Sequence, residues 1–126
     1  MVDISCLHHQ EGVRLDPVRL VALYAELGEA GAEEVICRAM EELAVHLAAL
    51  QQAAAEGAPT PVIVAADRLC ALAEQVGMTS LVHVGRDVSA SARAGDHAAL
   101  AATLARLVRI GDRSLTAVWD LRDMSL

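Results

Sequence analysis

The chain has 126 residues, the size of one domain, and 55% of them are apolar, enough to build a single buried core. Seventeen acidic residues against ten dispersed basic ones give a net charge of -7, so no basic stripe can follow a phosphate backbone and nucleic acid is not an expected partner. No apolar run reaches the roughly 18 to 20 residues that span a bilayer. The start MVDISCLHHQEG has no basic segment leading into an apolar one, so a cytoplasmic protein without a membrane partner is expected.

The apolar material is almost all Ala, Leu and Val, with one Trp, one Tyr and no Phe, which favours closely packed helices over a sheet. Residues 1–15 keep no sustained period and read as an N-terminal extension to a domain at 16–126. Cys6, His8 and His9 in that extension lack a nearby fourth ligand, so no metal site is expected there. Three widely spaced cysteines, Cys6, Cys37 and Cys70, fit a reducing compartment better than a disulfide framework.

Asp16-Pro17 is a helix start, an N-cap acid followed by proline at the first helical position. Leu20, Leu23, Tyr24 and Leu27 then form a short amphipathic helix ending at Gly28, and Gly31 lets the chain turn into the next. From about residue 32 to 55, Val35, Ile36, Ala39, Met40, Leu43, Leu47 and Leu50 keep a helical step, for a strut on the order of 35 Å long. The run EGAPTP ends it, and Thr60 is the expected cap of a third helix.

That helix, Pro61 to Gly77, places Val62, Ala66, Leu69, Ala73 and Val76 on one apolar stripe. Asp67, Cys70, Ala71 and Glu74 are expected on another face. Thr79 or Ser80 should cap a fourth helix with Leu81, Val84, Val88 and Ala92 inward. Gly85 in its middle implies a close helix crossing. Gly95-Asp96 ends it and caps a final helix carrying Leu100, Leu104, Leu107, Val108, Leu115, Val118 and Leu121, bent or frayed near Gly111. Short connections between long helices imply an all-α fold, an antiparallel four-helix bundle with the short first helix as a lid.

The order of these elements resembles the histidine-containing phosphotransfer (HPt) domain of bacterial phosphorelays. The resemblance covers nearly the whole chain: a short first helix, a long second, a third with a His-x-Leu-Lys-Gly core, and a fourth ending in Gly-Asp. Here the third helix gives Ala66-Asp67-Arg68-Leu69-Cys70-Ala71 and then Gln75-Val76-Gly77-Met78, and the fourth ends Ala94-Gly95-Asp96. The scaffold positions match, but Asp67 stands where the family has its phosphoacceptor histidine, Cys70 replaces the lysine and Ala71 the glycine.

The family's reaction needs an exposed imidazole to attack an aspartyl phosphate and an ammonium to steady the transferred charge. The resemblance therefore implies a pseudo-HPt that binds a receiver domain or a histidine kinase without accepting phosphate. Ile63, Val64, Asp67, Cys70, Ala71 and Glu74 would form its docking patch. Asp67 as a phosphoacceptor would need further acids to hold Mg²⁺, and its helix offers only Glu74, about two turns away. A plainer reading makes Asp67 a surface acid paired with Arg68, Arg86 or a neighbour.

His46, His83 and His97 read first as ordinary helix residues, with His83 the alternative phosphoacceptor because its helix neighbours the third. A structural homodimer is the third reading. No phosphate-cradling glycine loop, Walker-type lysine, Ser-His-Asp order or zinc spacing occurs, so neither a cofactor nor a conventional active site is expected.

Overall fold

A computed structural model describes residues 16–124, and the extension at 1–15, with Cys6, His8 and His9, lies outside the described residues. Helix α1 spans Pro17–Glu56, α2 Pro59–Gln75, α3 Thr79–Ala94 and α4 His97–Met124, with no strand among the described residues. Each helix packs on the next in sequence, while α1 and α4 touch only sparsely. Among the described residues no helix is long and apolar enough to cross a membrane.

Asp16 caps α1: its Oδ1 accepts from the backbone N–H groups of Val18 at 3.0 Å and Arg19 at 3.4 Å, and Pro17 takes the first turn. The expected boundary between the short and long helices narrows to one residue. Only Gly28 (φ 72, ψ 174) leaves helical geometry, and Gly31 stays within the helix, so α1 is an arm, 17–27, joined to a strut, 29–56. Leu23 anchors the arm in the core, with Leu20 and Tyr24 packed beside it. Along the strut Ile36, Ala39, Met40, Leu43, Leu47 and Leu50 are buried as their spacing requires, but Val35 is exposed.

The stripe of α2 is as expected: Val62, Ala66, Leu69, Ala73 and Val76 are all buried. Its cap is not Thr60, because Pro59 already supplies the helical φ and starts the helix two residues earlier than expected, leaving Ala58 at the N-cap with no side-chain bond. Similarly, α3 is preceded by Met78, not capped by Thr79 or Ser80. Met78 is drawn wholly into the core, and the way α2 ends determines its position.

Gly77 ends α2 in the left-handed region (φ 73). The Met78 N–H donates to Ala73 O at 2.9 Å and the Gly77 N–H to Glu74 O at 3.3 Å, the paired closing bonds of a Schellman motif. The arm starts on this turn. Asp16 N–H donates to Gly77 O at 2.6 Å and Arg19 Nε–H to Gln75 O at 2.9 Å. A β-carbon at Gly77 would stand 3.1 Å from Asp16 O, so both the φ and the docked arm require glycine.

On α3, Leu81, Val84, Val88 and Ala92 are buried. Asp96 then caps α4, its Oδ1 accepting from Ala99 N–H at 3.0 Å. Helix α4 runs unbroken through Gly111, where a β-carbon would lie 3.0 Å from Leu47 Cδ2, so this glycine admits the strut of α1 and marks no bend. Leu107 and Ile110 are the core residues beside it, Ile110 being one the periodicity missed. The side-chain burial expected of Leu115, Val118 and Leu121 falls outside the described residues.

Candidate functional site on the α2–α3 face

Helices α2 and α3 cross closely at Gly85, where an added β-carbon would sit 2.6 Å from Cys70 Sγ. The sequence expectation of a close crossing therefore holds, and Cys70 is the side chain that fills the space the glycine leaves. Its Sγ–H donates to Val82 O at 3.5 Å. Burial pushes the thiol above its ordinary value of 9.0; Arg86 pulls it down, and Asp67 and Glu74 push it further up.

This corrects the proposed docking patch, because Cys70 is buried and does not look outward with Asp67. The reason is its spacing. Position 70 lies four residues after Ala66 and three before Ala73, both fully buried, so it shares their side of the helix. Ile63 is half-buried against the core, Val64 is 42% exposed, and Asp67, Ala71 and Glu74 are exposed.

Both Asp67 oxygens are engaged from α3. Ser89 Oγ–H donates to Oδ1 at 3.0 Å and Arg93 Nη2–H to Oδ2 at 3.1 Å, while Arg93 Nε–H reaches Ser89 Oγ at 3.4 Å. Two helical turns along, Glu74 accepts from Arg86 Nη2–H at 2.5 Å. Acids seven apart on α2 thus meet arginines seven apart on α3, and on α2 Cys70 lies between the two acids.

Of the pairings expected for Asp67, neither Arg68 nor Arg86 is the partner. Arg93 and Ser89 were not singled out in the sequence; the matching seven-residue spacings of 67/74 and 86/93 were the available signal. Both ion pairs are about half exposed, so each contributes about 0–1 kcal/mol and chiefly fixes helix register.

Chemically, the arrangement holds Asp67 as an acceptor of two hydrogen bonds, with its nearest acid along the helix, Glu74, tied to Arg86. Among the described residues no group of three His, Cys, Asp or Glu side chains is placed to hold a metal ion. His83 is exposed on α3 between buried Val82 and Val84, His46 is half-buried on α1, and His97 is exposed at the start of α4. The structure brings none of them to Asp67 by a hydrogen bond or ion pair. The helices and this face define an all-helical protein with an internally paired charged surface. No protein-family model, curated protein or solved structure matches the chain.

Proposed function

We propose that the protein is a non-catalytic interaction module of the cytoplasm: an antiparallel four-helix bundle of HPt-like form that binds a receiver domain or a histidine kinase and blocks productive phosphotransfer there. The observation that carries this reading is the state of Asp67. The side chain at the position of the family's phosphoacceptor is an acid that accepts from Ser89 and Arg93, and among the described residues no group of three acids stands by it to hold the Mg²⁺ that an aspartyl phosphoacceptor needs. The burial of Cys70 points the same way. A lysine at that position would have to lie against Gly85, so the ammonium of the HPt reaction has no place to stand. Val64 and Ala71 remain exposed on either side of Asp67, the apolar contacts such a partner would use.

The test is titration of the full chain with isolated receiver domains of response regulators, unphosphorylated and phosphorylated. Binding that Val64→Glu and Ala71→Glu abolish, with no label transferred from the phosphorylated receivers, is the expected result. No binder among the receivers and kinases tested would overturn the reading. Exposed His83 supports a second reading, transfer to another histidine. That reading requires acid-labile label on the wild type that His83→Gln removes.

A further inference from the structure

At the end of α2 opposite the Gly77 turn, the α1–α2 and α3–α4 turns line a common cleft of about 380 Å³. Its openness follows from the residues there. Each turn ends its helix on a left-handed glycine, Gly57 (φ 83) and Gly95 (φ 67), and a β-carbon at either would meet nothing within 4 Å. The adjoining helix ends carry alanines, whose methyl groups are too short to bridge the gap.

The cleft has two unlike walls. Everything contributed from the α1–α2 side, down to the buried Val62, is without a polar side chain. On the other side, buried Ala92 and half-buried Leu100 continue the apolar floor, while Ser91, Arg93, Asp96 and His97 form a polar edge. Asp96 is committed to its own helix, its Oδ1 accepting from Ala99 N–H at 3.0 Å. Arg93 is held but not used up. Its Nη2–H donates to Asp67 and its Nε–H to Ser89, which leaves Nη1 without a bond among the described residues.

We infer that this cleft binds a small organic acid, a carboxylate on an apolar body the size of one ring. Arg93 and His97 take the carboxylate, and Val62 and Leu100 take the body. The polar edge selects this class of ligand. A cation would meet Asp96, which is occupied as a cap, beside an arginine. A neutral apolar molecule would strip water from the guanidinium and offer it no acceptor in return. A carboxylate replaces those bonds with charge-assisted ones, and the planar guanidinium suits it.

Size agrees with the same class. Small-molecule sites begin at about 300 Å³, and a cavity of about 150 Å³ already admits benzene, so the cleft holds one ring with its carboxylate. Asp67 and Ser89 are then positioning residues, because they hold the guanidinium in place before the ligand arrives. The inference does not depend on receiver docking, since neither Val64 nor Ala71 lines the cleft, and either reading can fail without the other.

Titration of the isotope-labelled full chain with benzoate, followed by NMR, tests it, with benzyl alcohol as the uncharged counterpart. Benzoate should bind with a dissociation constant of about 1 mM or tighter and shift the amides of the two turns, with the alcohol binding at least about tenfold more weakly. Arg93→Gln should weaken benzoate about tenfold or more, and His97→Ala about two- to tenfold. Ala94→Phe, at an exposed position on the rim, fills the cleft and should abolish binding with unchanged helicity. No binding of benzoate at about 10 mM overturns the inference. So does equal binding of the alcohol, or binding that Arg93→Gln and Ala94→Phe leave unchanged.

Discussion

On the α2–α3 face Asp67 and Glu74 are each matched by an arginine from the neighbouring helix, whereas the outer side of the arm turns Val18 and Val21 outward. The first region satisfies itself within the chain and draws its register from doing so. The second is seated by the bonds from Asp16 and Arg19 but leaves apolar surface in water. Side by side they show that residues which look functional in a sequence, a lone acid in an apolar helix for instance, can be the internally settled ones. An unremarkable stretch of valines and alanines can be the part left facing water.

The sharpest test of this contrast is a pair of truncations. Leu69→Ala removes a fully buried side chain beneath the α2–α3 face and should cost about 2–5 kcal/mol by urea unfolding. Val21→Ala on the arm should stay within about 0.5 kcal/mol. A large loss at Val21 would mean that the outer side of the arm is packed within its own chain.

The crossing offers a coupled pair. Gly85→Ala should be destabilising by about 1–3 kcal/mol, because the new methyl group meets Cys70 Sγ. In a Cys70→Ala background the same change should instead stabilise by about 0.5–1 kcal/mol, the gain of alanine over glycine inside a helix. Additive effects of the two substitutions would show that the sulfur is not what the glycine accommodates.

Cys70 also gives the face a pH dependence. Its folded thiol titrates above its ordinary 9.0, so its contribution to stability is fully present below that value and is lost as the pH rises through the raised one. Unfolding followed between neutral and alkaline pH should therefore show a decline that Cys70→Ala removes. The smallest effect belongs to the ion pair of Asp67 and Arg93. A double-mutant cycle of Asp67→Asn and Arg93→Gln should give a coupling of about 0.2–1 kcal/mol that shrinks with added salt. A coupling several times larger would move Asp67 from a register-setting role toward a structural keystone.

How far the sequence could be read follows from which forces act locally. Stripes at three- and four-residue spacing identified the centre of each buried face, Val62, Ala66, Leu69, Ala73 and Val76 on α2 and Leu81, Val84, Val88 and Ala92 on α3, but not its flanks at Ala65 and Val82, because periodicity gives a face's direction and the neighbouring helices set its width. The caps at Asp16 and Asp96 and the close approach at Gly85 were legible for the same local reason. Cys70 was misread because its chemistry drew it to the polar side while its register placed it in the core.

Thr60 lost the capping position to a proline whose fixed φ acts one residue earlier, and Val35 lost its expected burial because its register turns it off the stripe of Ala32, Ile36, Ala39 and Leu43 that the neighbouring helices cover. Arg93 and Ser89 could not be assigned to Asp67 without knowing how α2 and α3 align. That alignment is a tertiary quantity, and only the repeated interval of seven hints at it.

The turn at Gly77 joins the start of the arm to the end of α2, far along the chain, in a small knot of hydrogen bonds. Its consequence is kinetic. The arm is held by Leu23, by partly buried neighbours and by these bonds, with the Gly28 break between it and the strut. It can therefore detach as a unit without melting the bundle. The Asp16 amide proton, sequestered only while the arm is seated, becomes a clock for that event. Its exchange with deuterium should keep pace with that of amides within the arm and run well ahead of those around Leu43 and Leu50.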